Sequence, residues 1–195
     1  MKNYSFFALA FRMKYINRWG LMRNLRTENL TEHSAQCAML SHALCVIGNK
    51  HFGKSYNPEK VALFALYHDM SEIFTGDLPT PVKYFNSSIR DSYKQIEHDA
   101  LEKSLDKLPC DIRDEFSNIL HFEELDLQAK AIVKGADKLC AYLKCIEECE
   151  NGNKEFAKAL ESTKKIVDSA CKTLPELKYF MDNFAKAFEC SIDEL

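Results

Sequence analysis

Nowhere in these 195 residues is there an apolar run approaching the ~20 positions needed to cross a bilayer, so a membrane-spanning enzyme or transporter is not expected. The N-terminal stretch has a basic start and an Ala8-Leu9-Ala10 core, but Arg12, Lys14 and Arg18 interrupt it. That is a poor secretion signal. An amphipathic helix is expected instead, burying Phe6, Phe7, Ala10, Met13 and Ile16. Long basic blocks are absent too. With 26 basic against 29 acidic residues and a net charge of −3, the chain lacks the footprint of a binder of nucleic-acid polymers, and the expected partner is small. Eight cysteines include no CxxC pair, so they read as reduced thiols of a cytoplasmic protein, with Cys140, Cys145 and Cys149 as core residues. No internal repeat or low-complexity tract appears, and 46% hydrophobic content suffices for one core, giving a single domain over residues 1–195.

Alternating strand patterns are missing as well, whereas helical punctuation is abundant, so the fold class expected is all-α. Thr31 is a plausible N-cap for a helix carrying Cys37, Leu40, Ala43, Leu44 and Ile47 and ending by Gly48 and Gly53, with His33 in its first turn. Asn57-Pro58 starts a largely apolar helix that delivers His68-Asp69 near its C-terminal half. Gly76, Pro79 and Pro81 make residues 75–81 a loop. A long polar helix is expected over 88–108, a short one from Pro109, a long one from the Asp126 cap to about Glu150, and two more between Lys154 and Phe188, separated at Leu174-Pro175.

His33, His68, Asp69 and Asp137 carry the chemistry. Imidazole nitrogen with carboxylate oxygen suits Mn²⁺, Co²⁺, Fe²⁺ or Zn²⁺, and two Asp charges neutralise a dication while leaving positions for water and substrate. Adjacent side chains on a helix diverge by about 100°, so His68 and Asp69 reach one ion only in the groove between them, and other helices must complete the sphere. Asp137 sits among Val133, Ala136, Leu139, Cys140 and Leu143, where a carboxylate is unfavourable unless paired. Glu72, three residues after Asp69, can overhang the ion without ligating it. It is a candidate acid/base, against the plainer reading of an exposed helix-end glutamate. Arg18, Arg23 and Arg26 fall close together as a candidate basic pocket, and Trp19 offers a flat wall for sugar or base. Lys83 is a further candidate phosphate contact, though a solvated lysine is the plainer reading.

These residues lie within longer strings: Asn17-Arg18-Trp19, Arg26-Thr27-Glu28-Asn29, Thr31-Glu32-His33-Ser34, Tyr67-His68-Asp69, the run from Thr75-Gly76-Asp77-Leu78-Pro79-Thr80-Pro81 to Asn86, and Leu139-Cys140-Ala141-Tyr142-Leu143-Lys144-Cys145. Together they resemble the HD-domain metal phosphohydrolases, and more narrowly the bacterial 5′-deoxynucleotidases, from near residue 5 to near residue 190. The resemblance implies a single HD-domain helical bundle that binds one divalent metal cation (Co, Mn, Fe or Zn) through His33, His68, Asp69 and Asp137. It implies catalysis by Glu72 and Asp77, and contact with deoxyribonucleoside 5′-monophosphates through Arg18, Trp19, Asp69, Asp77, Leu78, Pro79 and Thr80. It also implies a homodimer. Turn chemistry alone would account for Asp77 and Thr80. Two alternatives stay open: an HD phosphohydrolase of nucleoside triphosphates or alarmones, which would favour a larger basic collar, and a non-catalytic nucleotide- or partner-binding module. A two-metal enzyme would need extra ligands, for which His98 and His121 qualify by type.

Overall fold

The computed structural model describes residues 3–83 and 85–194, and of Thr80 only the backbone. All regular elements among these residues are helical, as the sequence pattern requires, and the one β-bridge joins Asn17 to Asn29. The chain runs through α1 (Phe6–Ala10), a 3₁₀ turn (Phe11–Tyr15), α2 (Leu30–His51), α3 (Pro58–Tyr67), α4 (Glu72–Thr75), α5 (Thr80–Lys83) and α6 (Ser87–Leu105). It continues through α7 (Arg113–Leu120), α8 (Phe122–Leu125), α9 (Leu127–Glu150), α10 (Ala157–Ala170) and α11 (Pro175–Asn183). Helix α2 packs chiefly on α3 and α9, and α9 also carries α10. Their apolar faces form the main core, including Cys37, Leu44, Phe64, Ile132, Ala136 and Leu139.

Local chemistry sets the helix ends. Asn29, not Thr31, caps α2: its side chain accepts from the Thr31 and Glu32 N–H groups while Glu32 reaches back, a reciprocal capping box. The helix passes through Gly48 and stops at His51, before Gly53 at φ 61°. Asn57 caps α3 with Pro58 in its first turn, and Asp126 caps α9, both as expected. The N-terminal amphipathic helix is shorter than its pattern suggests. Phe6, Ala10 and Met13 are buried, but the chain tightens to 3₁₀ after Ala10 and leaves Phe7 half exposed. The polar helix spans Ser87–Leu105, and the next begins at Arg113, not Pro109.

Three features position the site. Residues 16 to 30 form a closed loop, with the Arg18 N–H donating to the Glu28 carbonyl at 2.9 Å and the Leu30 N–H to the Ile16 carbonyl at 3.0 Å. Buried Glu148 on α9 pins that loop, accepting from the Leu25 and Arg26 N–H groups and from Lys144 Nζ and Asn153 Nδ2. Burial acts to raise the Glu148 pKa, but these donors pull it down to about 2. Finally, α3 ends at Tyr67, so His68 and Asp69 occupy a turn beyond the helix, contrary to the expectation that they lie within it. Fully buried Met70 anchors that turn in a second core with Phe6, Met13 and Leu30.

Candidate metal centre and active site

His33, in the first turn of α2, is completely buried, and its Nε2 lies 3.2 Å from Asp137 Oδ1 and 3.5 Å from Asp69 Oδ2. His68 Nε2 lies 3.2 Å from the same Asp69 oxygen. The four residues singled out as ligands thus converge, drawn from α2, the turn after α3, and α9. Their protonation chemistry argues for a cation. His68 Nδ1 is 2.7 Å from the Ala65 carbonyl, which can only accept, so Nδ1 carries the proton and Nε2 of the neutral ring presents a lone pair. That lone pair faces a carboxylate oxygen, and both His33 Nε2 and His68 Nε2 are buried without a hydrogen-bond partner. Lone pair against carboxylate is repulsive unless a proton or a metal lies between them. This donor set fits a divalent metal.

Without metal, protons take that role. Burial acts to lower the His33 and His68 pKa values, and Arg18 does so for His33, yet Asp69 and Asp137 outweigh this and raise both. Burial pushes the other way on Asp137, but the nearby imidazoles and Arg18 hold its carboxyl well below the usual range. The Asp137 side chain is 41% exposed, because the interior of α9 opens here onto a cavity, so apolar neighbours do not enclose it fully.

The Arg18 side chain is 12% exposed and reaches Asp69 at 3.3 Å, Glu28 at 3.4 Å and Asp137 at 4.0 Å. Burial opposes its charge, but Asp69, Asp137, Asp77 and Glu28 raise its pKa. Arg23 and Arg26 are corrected: they do not join Arg18 but are 92% and 65% exposed, pairing with Glu155 and with Glu32 and Glu147. Only Arg18 of the proposed basic pocket turns inward. Trp19 adopts φ 57°, a left-handed backbone uncommon for a large side chain. Its Nε1 donates to Glu28 Oε2 at 3.0 Å and its ring packs 5.4 Å from Phe156, so a structural anchor accompanies any role as a wall.

Glu72 opens α4 and is 3% exposed, which rules out the exposed helix-end reading. Lys83 Nζ donates to its Oε1 at 2.7 Å, while Oε2 is buried without a partner. Burial first, then the Asp69 charge, push the Glu72 pKa up to about 8 against the pull of Lys83. Gly76, at φ 73°, ends α4 and turns the chain into 77–79. The half-buried Asp77 is near enough to act electrostatically on both Arg18 and Glu72. Leu78 and Pro79 are also half-buried. The Pro79 carbonyl accepts from Val82 and Lys83, so residues 80–83, expected to start as loop, form the helical turn α5. The call on the Thr80 side chain lies outside the described residues.

The cavity, of about 410 Å³, is lined by His68, Asp69, Ser71, Tyr93, Val133 and Asp137 among others, within the usual size for small-molecule sites. Lys83, Arg90, Lys94, Lys130 and Lys134 also line it, interleaved with Glu97, Glu123 and Glu124. The sequence showed no such collar because its members come from α5, α6 and α9. Glu28 was missed as well. It is buried, it accepts from Trp19, and it lies beside Arg18 Nε and, at 3.9 Å, His33 Nδ1. Its presence within Arg26-Thr27-Glu28-Asn29 was the available signal.

Comparisons with known proteins place the chain in a family. A family model described as 5′-deoxynucleotidase YfbR-like matches residues 5–188. The 5′-deoxynucleotidase YfbR of Shigella dysenteriae serotype 1 is 50% identical over 195 residues, covering 100% of this chain and 97% of that one. Among solved structures, an HD-domain phosphohydrolase from Listeria innocua superposes with a TM-score of 0.82 at 19% identity, covering 96% of this chain and 90% of its own. The cyanophage S-2L HD phosphohydrolase, bound to dA and one catalytic Zn²⁺ ion, gives 0.61 at 18% identity, covering 92% and 95%. The structural likenesses show the HD-domain fold, and the sequence matches place the chain in the 5′-deoxynucleotidase YfbR-like family.

Proposed function

We propose that this protein hydrolyses deoxyribonucleoside 5′-monophosphates to deoxynucleoside and inorganic phosphate, using one divalent metal ion held by His33, His68, Asp69 and Asp137. The observation that carries the reading is the His68 tautomer: with Nδ1–H committed to Ala65, its Nε2 lone pair faces Asp69 at 3.2 Å in a cavity open to solute. The nitrogen and oxygen donors favour Mn²⁺, Co²⁺, Fe²⁺ or Zn²⁺. When bound, the ion supplies Lewis acidity, lowering the pKa of water and withdrawing charge from a phosphate oxygen.

The chain's own groups supply the rest. Glu72, whose pKa is pushed up by burial and by the Asp69 charge, can hold a proton and deliver it to the leaving 5′-oxygen as the P–O bond breaks. Asp77 would meet the sugar and orient the attacking water, and Arg18 would offset phosphate charge from beside the carboxylates. Trp19, with Leu78, Pro79 and Thr80, would wall the sugar and disfavour a 2′-hydroxyl. The reading extends to a single domain over residues 1–195, a homodimer and a cytoplasmic location, for which the family resemblance is the support. Among the described residues no helix is long and apolar enough to cross a membrane.

The five lysines and arginines lining the cavity favour one second reading, a substrate with more phosphates. Phosphate release from ribo- and deoxyribonucleoside mono-, di- and triphosphates, after metal stripping and re-addition, separates the two. The proposal expects deoxyribonucleoside monophosphates to lead and metal-stripped protein to be inactive. Activity without metal, or preference for triphosphates, would reject it.

A further inference from the structure

His98 and Glu102 lie one turn apart on α6, and His121 follows α7. His121 Nε2 is 2.9 Å from Glu102 Oε1, the His98 and His121 rings are 5.3 Å apart, and one ligand atom from each residue falls within 4.8 Å of the others. Both histidines line the cavity that His68, Asp69 and Asp137 also line. We infer that His98, Glu102 and His121 form a second divalent-cation site, separate from the first and seated in the same cavity.

The arrangement suits an ion of the zinc class. Bonds of about 2.0–2.2 Å in a tetrahedral site put neighbouring ligand atoms roughly 3.3–3.6 Å apart, so binding needs only a small opening of the His121–Glu102 pair and an approach by His98. The side chains can do this, because His98 is 48% exposed and Glu102 42%. The second Glu102 oxygen is already held by Arg113 Nη2 at 3.1 Å, and Arg113 also reaches Asp106, which fixes the carboxylate and leaves Oε1 facing the imidazoles. Two nitrogens and one oxygen leave a coordination position open towards the cavity. An ion there would tie α6 to α7 and add positive charge where a phosphate ester enters.

The test counts ions. Chelator-stripped protein is dialysed against micromolar Zn²⁺ or Co²⁺ and its metal content measured. Two ions per chain are expected in the unaltered protein, one in His98→Gln, one in His121→Gln, and one in Asp137→Asn, which removes the inner ion while keeping the outer. Loss of one of three protein ligands should weaken the outer site by at least the roughly 10- to 100-fold typical of losing an outer-shell partner, and the metal concentration is set to the lowest that fills both sites of the unaltered protein, so that the weakened site empties. Because His121 is 14% exposed and its replacement can unsettle the fold, half-exposed His98 carries the decisive substitution. One ion per chain in the unaltered protein, or two ions unchanged in His98→Gln, would overturn the inference by leaving His121 and Glu102 as a simple hydrogen-bonded pair. Loss of the inner site in Asp137→Asn without loss of the outer keeps this question separate from the proposed hydrolase chemistry.

Discussion

Replacing Lys83 with methionine should reveal which way the Glu72 proton moves. Lys83 Nζ sits 2.7 Å from Glu72 Oε1, with the lysine side chain 22% exposed and the glutamate 4%. At an effective dielectric near 20, unit charges at that separation interact by roughly 6 kcal/mol. Much of this is offset by the desolvation of Lys83 and by sharing its charge with Glu97 at 3.7 Å. A net effect of about 1.4–2.8 kcal/mol corresponds to a rise of about one to two pH units in the Glu72 pKa. Methionine keeps most of the aliphatic stem but gives up the ammonium that lies 4.9 Å from the centroid of the Tyr93 ring. If Glu72 donates its proton, kcat should fall on the alkaline side with a limb set by the Glu72 pKa, which burial raises above the usual carboxylate range. Lys83→Met should move that limb upward by the same one to two units while leaving kcat at pH 7 close to unaltered. The assay is phosphate release from a deoxyribonucleoside 5′-monophosphate across pH 6 to 10 at saturating metal, with Glu72→Gln as the control that lacks the limb. If the substitution instead moves an acidic limb upward, so that activity at pH 7 drops and recovers in alkali, Glu72 is a base and the proton-donor assignment is wrong.

Four further outcomes follow from the same geometry. His68→Ala and Asp137→Asn should each lose the inner metal and at least about a hundredfold in kcat/KM, as metal analysis and phosphate release would measure. Glu28→Gln keeps the shape but removes the charge that Trp19 and Arg18 face at 3.0 and 3.4 Å; it should cost about 1–3 kcal/mol by thermal melting, and unaltered stability would refute the buried-hub reading. Trp19→Ala should narrow the preference for deoxyribo- over ribonucleotides by roughly tenfold in kcat/KM and lower the melting temperature through loss of the Phe156 contact; retention of full preference would return Trp19 to packing alone. Metal-stripped protein should lose stability as pH rises. The raised His33 and His68 pKa values give stabilisation that is complete below their unfolded value of about 6.5 and vanishes as pH climbs through the folded values, and Glu72, raised from its usual carboxylate range to about 8, acts in the same direction. Asp137, depressed, stabilises above its unfolded value of about 3.9 and fails only in acid. Melting with chelator from pH 5 to 9 should therefore show a decline above neutrality that added Mn²⁺ or Co²⁺ reverses.

The features legible in the sequence were those whose physics is local. Asn57-Pro58 and Asp126 announced their helices because a cap needs only the next three N–H groups. The Asn29 cap was equally local, and Glu32 three residues on was its signal, yet Thr31 has the same chemistry and drew the boundary two residues late. The candidate ligand set was readable by residue type and family resemblance, whereas its convergence was not, since it depends on α2, the turn after α3, and α9 packing together. Glu72 shows the same divide. Three residues after Asp69 it could equally have been solvated, and what buries it is partly Lys83, delivered by α5 beyond a glycine at φ 73°. Arg23 and Arg26 mark the opposite error, because closeness in sequence to Arg18 says nothing of direction once residues 16 to 30 close on themselves.

That closed loop explains how a buried arginine can share a site with a dication. Arg18 lies within 4.0 Å of Asp69 and Asp137, the carboxylates that would hold the metal, and two cations on one pair of anions would repel. Glu28 resolves the conflict. It brings a third carboxylate, this one buried, to Arg18 Nε, fixes the Trp19 indole, and approaches the far nitrogen of His33. The Arg18–Glu28 backbone hydrogen bond places the two side by side, and Glu148 locks the loop to α9, the helix that carries Asp137. Counting Glu28, Asp69 and Asp137 against Arg18 and a divalent ion, the inner charges balance. A phosphate ester then meets a centre whose counted charges cancel once the ion is bound, with the ion still directing positive charge at its oxygens.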